Sequence, residues 1–194
     1  MVASRTLLLQ VAVALMGFGL SGAVAQTPNP SPPPAIAVTP TDPFGEQVTM
    51  TEKTIVYFEG SGQWDSAFDT IVAAFKSVQG AMEKLGAKPS GAPMTIYTAT
   101  DDTGFQFQAA VPVAQAPAPP PDGKIKVGKS PVGTALKFVH RGSYDEMDTT
   151  YEAIAHHLDE KKLEAKDLFV EQYMKDPVTT PDDDLVIEIY VPLK

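Results

Sequence analysis

The most informative residues for chemistry lie in the last strand-like segment of the chain, residues 185–193. Apolar side chains alternate there with Val186, Glu188 and Tyr190, and a period of two predicts a β-strand. Glu188 and Tyr190 would therefore lie side by side on one face of that strand. A carboxylate in an otherwise apolar strand needs a cavity, a paired partner or a ligand, because burying its charge alone is costly. We expect a cavity.

A second acid and tyrosine pair precedes this segment. In the predicted strand 168–174, Glu171 and Tyr173 alternate with apolar and amide residues. If they share the face of Glu188, two carboxylates line one groove, to which the first half of the chain contributes Tyr97 and Tyr57. Carboxylates among aromatic rings suit a flat, partly apolar cation. The plain alternative is that the acids face solvent and the tyrosines only pack.

Other chemistry receives little support from the sequence. His156 and His157 are adjacent, so on a helix they point in different directions and cannot chelate one metal as an i, i+4 pair can. The run Asp182–Asp184 is predicted to be a solvated turn. Phosphate-binding, dinucleotide and nucleophile-elbow motifs are missing from the sequence. We therefore expect neither a metal nor a cofactor.

The elements that would position these residues form a repeated pattern. Residues 62–65 match residues 142–145, and residues 111–113 match residues 191–193, both at an offset of 80. Each half reads as β-α-β-β, with an apolar helical stripe in the first half at 64, 68, 71, 75, 78 and 82. The prediction is an α+β fold built by tandem duplication, with one antiparallel sheet, two helices on one face and a ligand groove on the other. Gln108 and Ala110 stand where Glu188 and Tyr190 stand, so the acids belong to the second half.

Composition divides the chain into segments. Residues 1–25 have a basic start, an apolar run and small residues before position 26, which predicts a cleaved signal peptide. Residues 26–45 are a Pro-rich tether. The domain would span residues 46–194, as modules 46–113 and 124–194 joined by a Pro/Ala-rich linker, 114–123. The predicted location is periplasmic or secreted, with no membrane insertion after cleavage.

The charge limits the partners. The net charge is −9, and removal of the signal peptide would make it one unit more negative because Arg5 is lost. Nucleic acids and anionic membranes require basic surfaces, so we expect no nucleic-acid partner. The chain has no cysteine, which leaves the core to hold the domain together without disulfides. The oligomeric state is not indicated.

Four short segments of the second half, in this order, resemble those of a known family. They are His140–Tyr144, Glu171–Tyr173, Asp176–Pro177 and Glu188–Leu193. The chain resembles the GyrI-like small-molecule-binding family, the effector-binding domain of AraC- and MerR-type regulators. The resemblance implies paired β-α-β-β modules and an acidic, aromatic-lined groove for drugs, with Glu171 and Glu188 as pocket acids, Tyr190 as a pocket aromatic and Tyr144 bordering the groove.

The sequence departs from the regulators because it has no helix-turn-helix and a predicted export signal. The first hypothesis is therefore an exported binding protein for amphipathic, cationic small molecules. The second is a hydrolase in which Glu188 acts as general acid or base beside Tyr190. A structural adaptor of the cell envelope is the third.

Overall fold

The computed structural model describes residues 42, 44–118, 121 and 123–194. The predicted signal peptide, most of the tether 26–45 and part of the linker 114–123 lie outside the described residues. Within them the chain forms eight strands and two α-helices: β1 (Glu46–Met50), β2 (Thr54–Gln63), α1 (Ala67–Leu85), β3 (Met94–Thr100), β4 (Gly104–Pro112), β5 (Ile125–Lys129), β6 (Gly133–Arg141), α2 (Met147–Lys161), β7 (Phe169–Tyr173) and β8 (Val186–Pro192). Neither helix is long and apolar enough to cross a membrane.

All eight strands belong to one antiparallel sheet in the order β1-β6-β8-β7-β3-β4-β2-β5. The strands of the two modules correspond in pairs: β1 with β5, β2 with β6, β3 with β7 and β4 with β8. Replacing each strand by its counterpart gives the same order read from the opposite edge, so the sheet has an internal two-fold symmetry. The pairing register also repeats: Phe58 lies opposite Ala109, and Phe138 lies opposite Ile189. The predicted duplication, single sheet and two helices are confirmed.

The helices of the two modules differ in length by about one turn. The helices begin at equivalent positions 80 residues apart, but α1 has 19 residues and α2 has 15. From the helix ends through β3 and β7 the offset is therefore 76, and it returns to 80 at β4 and β8. Gly86 ends α1 in the left-handed conformation that glycine favours, with φ 64°, and Lys162 ends α2 with φ 54°.

The first strand of each module is exchanged between the modules. β1 pairs with β6 of the second module, and β5 pairs with β2 of the first. Each module therefore completes its partner's part of the sheet. Alternation along a strand reveals its faces but not its neighbours, so the sequence did not predict this exchange.

Short connections force the sheet to curl. β1 and β2 are six strand spacings apart, about 29 Å in a flat sheet, yet the four residue steps from Met50 to Thr54 reach only about 14 Å. The connection from β5 to β6 makes the same crossing. The two connections bond to each other, since the Lys53 N–H donates to Ser130 Oγ and the Ser130 N–H donates to the Lys53 carbonyl, both at 2.9 Å. The sheet face that they cross is concave.

The main core lies between the helices and the other face, called the helix side below. α1 contributes Ile71, Phe75 and Val78, α2 contributes Met147 and Ile154, and the sheet contributes Val56, Phe107, Phe138, Ile187 and Ile189, all fully buried. A smaller core on the concave face consists of Ile55, Met94, Ile96, Ala110 and Val170. The helices therefore cover one set of alternating side chains, and the crossing connections help to enclose the other.

Candidate functional site

The structure separates the two predicted acids onto opposite faces of the sheet. Across β7 and β8, Glu171 lies opposite Ile189, whereas Glu188 lies opposite Gln172. Directly opposed residues point to the same face, so Glu171 lies on the helix side and Glu188 on the concave face. The prediction that both line one groove is wrong. It placed Glu171 on the same sheet face as Glu188, whereas the register of β7 with β8 is shifted by one residue and puts them on opposite faces.

The predicted tyrosines divide in the same way. Tyr173 and Tyr97 point to the helix side from β7 and β3, and Tyr144 reaches it from the turn before α2. Tyr190 and Tyr57 lie on the concave face and pack against its smaller core. These residues were predicted to form one site, but they lie on two separate faces of the sheet.

Glu171 is the centre of a buried cluster of tyrosines. Its side chain is fully buried. Its Oε2 accepts hydrogen bonds from Tyr173 at 2.9 Å, Tyr97 at 3.1 Å and Tyr144 at 3.1 Å, and Oε1 accepts one from Tyr151 at 2.8 Å. We call these five residues the Glu171 cluster. Four hydroxyl donors compensate much of the solvation that the carboxylate loses on burial.

Two of these phenols, Tyr97 and Tyr173, remain protonated hydrogen-bond donors over the physiological pH range. Burial raises the pKa of Tyr97 well above its usual value, and the negative charge of Glu171 raises it further. The same two causes, in the same order, raise the pKa of Tyr173. Among the described residues, no Lys, Arg or His forms an ion pair with Glu171. Its hydrogen-bond donors in the cluster are neutral phenols.

An aromatic shell surrounds the cluster. Phe169 stacks on Tyr97 with ring centroids 4.3 Å apart, and Phe68 stacks on Tyr144 at 4.9 Å. Trp64 is tilted against Phe105 at 4.7 Å, and its indole N–H donates to the Asp101 carbonyl at 2.8 Å. The result is one buried negative charge among apolar and π-bearing side chains.

The cluster lies on the internal two-fold axis. Thr95 and Glu171 face each other across β3 and β7, the two central strands, and are equivalent positions at the offset of 76. Thr95 is also fully buried, and its hydroxyl donates to the Tyr173 hydroxyl at 3.3 Å. Duplication therefore placed two equivalent side chains at the axis, and only the second module carries the acid.

The turn before α2 is fixed by side chains outside the cluster. The Tyr144 N–H donates to Asp182 Oδ1 at 3.0 Å, and the Ser143 hydroxyl also bonds Asp182. His140 Nε2 donates to the Ser143 carbonyl at 3.0 Å, so its Nδ1, 2.8 Å from the Thr150 hydroxyl, is the acceptor. Burial lowers the pKa of His140. Asp182, predicted to belong to a solvated turn, instead helps to orient Tyr144.

We predict that Asp182→Ala lowers the free energy of unfolding by about 1 kcal/mol, the typical cost of losing a capping acceptor. The variant leaves the Tyr144 N–H and the Ser143 hydroxyl without this partner. Urea unfolding measures the change, and Asp183→Ala is the matched control because Asp183 is exposed one residue further on. Equal costs in the two variants would show that Asp182 contributes nothing specific.

The second predicted acid has a cationic partner that the sequence did not indicate. Glu188 Oε1 lies 2.5 Å from Lys137 Nζ, and its Oε2 accepts a hydrogen bond from Tyr190 at 2.6 Å. Burial raises the pKa of Tyr190, and its bond to Glu188 raises it further. Glu188 is therefore neutralised within the protein. Among the described residues no group of three or more acidic or histidine side chains is placed to hold a metal ion.

Tyr151 was not predicted as a site residue; it lies on α2, where it packs against the main core. That position signals burial but not a hydroxyl that reaches Glu171. Lys137 lies directly opposite Tyr190 on β6, and only the pairing of β6 with β8 brings it to Glu188. Both contacts join segments that the sequence alone does not place together.

The duplicated β-α-β-β sheet with its buried acid spans the region that matches a family of small-molecule-binding domains. The family model that matches residues 46–194 is described as a GyrI-like small molecule binding domain. The chain belongs to the GyrI-like family.

Solved structures share this fold. The C-terminal domain of EcmrR has a TM-score of 0.63 and 15% identity, with 78% of this chain and 97% of that domain covered. EcmrR in a DNA complex has a TM-score of 0.65 and 15% identity, but this chain, 78% covered, spans only 57% of it. SAV2435 bound to tetraphenylphosphonium has a TM-score of 0.54 and 15% identity, with 78% and 94% covered. No curated protein sequence matched the chain.

Proposed function

We propose that this protein is an exported binding protein for amphipathic cations and that the Glu171 cluster is its binding site. The observation that carries the proposal is a fully buried carboxylate whose hydrogen-bonding side chains, among the residues that the structure describes, are four tyrosines. A carboxylate of this kind can pair with a cation that comes from outside the protein.

The electrostatics favour a cation over a neutral ligand. A buried site contains little water to screen charges, so the attraction between a cation and Glu171 is stronger there than at the surface. The faces of Tyr97, Phe169 and Phe68 add cation–π attraction and apolar contact. Glu188 lacks this property because Lys137 already neutralises it. A ligand must displace at least one phenol of the cluster to contact the carboxylate.

Two further observations support the proposal. SAV2435, which shares the fold, was solved with the lipophilic cation tetraphenylphosphonium. The features of residues 1–25 support export, which would place the domain where it meets small molecules before they enter the cell. The acidic net charge is compatible with attraction of cations.

The proposal is tested by thermal unfolding of the chain from residue 26 onward with two matched ligands. Methyltriphenylphosphonium carries a charge, whereas triphenylphosphine oxide has three similar rings and no net charge. At 100 times its dissociation constant a ligand stabilises the folded state by about 2.7 kcal/mol, which for a domain of this size is a rise of about 5–10 °C in Tm. We expect this rise with the phosphonium only. Equal shifts with both ligands, or no shift with either, would contradict the proposal.

A further inference from the structure

The internal two-fold produces two grooves on the helix side. One, called the α1 groove, has a volume of about 480 Å³, and its lining includes Gln79, Met82, Pro93, Tyr173, Met174 and Asp176. The other, called the α2 groove, has about 450 Å³, and its lining includes Thr98, Ala155, Leu158, Asp159, Leu163 and Phe169. Both volumes fall within the range typical of small-molecule sites.

The grooves are equivalent by position. Met82 corresponds to Leu158, and Pro93 corresponds to Phe169, at the same offset of 76 that relates the helix ends. Each groove lies between the second half of a helix, the segment after it and the end of the neighbouring module's central strand. The duplication thus provides a natural comparison of two similar cavities with different chemistry.

Only one of these two grooves ends at a hydrogen-bond donor to the buried acid. Tyr173 lines the α1 groove, and its hydroxyl donates to Glu171 at 2.9 Å. The α2 groove ends at Phe169, whose ring stacks on Tyr97 at 4.3 Å and contacts Tyr151 at 5.3 Å. Phe169 has no polar group that could bond Glu171. In the α1 groove, by contrast, the side chain of Tyr173 links the cavity to the carboxylate.

The walls of the α1 groove suit an aromatic group. Met82 and Met174 line it with flexible, polarizable thioethers, which make favourable contacts with aromatic rings. Met174 is 47% exposed although it is a large apolar residue. In the α2 groove Thr98 stands in place of Met174 and Leu158 in place of Met82, so among the described residues no thioether lines it.

We infer that the α1 groove is a subsite for the aromatic arm of an amphipathic cation whose charged centre contacts Glu171. The inference rests on the proposed function of the Glu171 cluster. Tyr173 is the side chain that separates the two subsites, so ligand binding displaces its hydroxyl from Glu171. The α2 groove does not contribute.

The test fills each groove in turn. Ala87 lines the α1 groove and Leu163 is its equivalent in the α2 groove; each follows the end of a helix, and its N–H bonds the helix at 2.9 Å. Titration calorimetry with methyltriphenylphosphonium is expected to show affinity about tenfold or more weaker for Ala87→Trp, since the loss of one buried ring amounts to more than 1.4 kcal/mol. Leu163→Trp keeps the wild-type affinity. An unchanged affinity in Ala87→Trp, or a loss in Leu163→Trp, overturns the inference.

A second measurement does not depend on the folding of these variants. With methionine methyl groups labelled for NMR, ring currents from the bound phosphonium are expected to shift the Met82 and Met174 signals. Met50, which lines a cavity on the concave face, is the internal control. Shifts confined to other methionines would overturn the inference. Binding that depends on Glu171 without these shifts would leave the proposed function standing, whereas no binding at all would overturn both.

Discussion

Replacing Glu171 with Gln is expected to lower the affinity for methyltriphenylphosphonium by about 30-fold or more. Truncating one member of a buried charge pair typically costs about 2–5 kcal/mol, and each 1.4 kcal/mol is tenfold in affinity. Glutamine keeps the size of the side chain and one acceptor oxygen, and the tyrosine hydroxyls can rotate to accept from its amide. The variant should therefore fold and lose the charge alone.

Titration calorimetry measures this loss, and the fluorescence of Trp64 gives a second readout. Trp64 is the only tryptophan of the chain, and its ring lies 6.3 Å from that of Tyr97 in the Glu171 cluster. Glu188→Gln is the matched control, because Glu188 lies on the concave face beside Lys137. We expect that variant to bind normally. Loss of binding in Glu188→Gln with retention in Glu171→Gln would move the site to the concave face.

Replacing Phe138 with Ala is expected to lower the free energy of unfolding by about 3–5 kcal/mol, the range for large-to-small changes of a buried aromatic residue. Phe138 is fully buried on the helix side of β6. Its ring makes edge contacts with Phe44 at 5.0 Å and His157 at 5.6 Å. The cavity would therefore weaken both α2 packing and the attachment of the segment before β1.

Phe58 provides the control for this prediction, because the duplication places it at the position equivalent to Phe138. Its side chain is only partly buried, so Phe58→Ala should cost clearly less. Urea unfolding of both variants measures the difference. Equal losses of unfolding free energy in the two variants would show that the burial of Phe138 by Phe44 and α2 does not determine its contribution to stability.

Much of the fold was predictable because its signals are local or repeated. The apolar stripe from Trp64 to Met82 predicts α1 since helix period and burial coincide there. The offset of 80 predicted two equivalent modules, and the duplicated register of β2 with β4 and β6 with β8 confirms it. These signals depend on side-chain spacing within a segment, which the sequence displays directly.

The candidate site was predicted in its residues but not in its geometry. Glu171, Tyr173, Tyr97 and Tyr144 were all named, yet Glu188 and Tyr190 were placed with them. β7 has only five residues, and a short strand can be assigned to either face when its pairing partner is unknown. The observed pairing of Glu171 with Ile189 removes that ambiguity.

The sequence by itself therefore determined the element types, the duplication and most residues of the candidate site. Tertiary structure alone decided which of them meet: the exchange of β1 and β5, the approach of Tyr151 to Glu171, and the pairing of Lys137 with Glu188. The physical reason is that hydrogen bonds and ion pairs act over about 3–4 Å, whereas these partners are brought together by strand pairing and helix packing between segments separated along the chain. Glu171 accepts hydrogen bonds from tyrosines, whereas Glu188 is paired with Lys137, and that difference arises only in the folded protein.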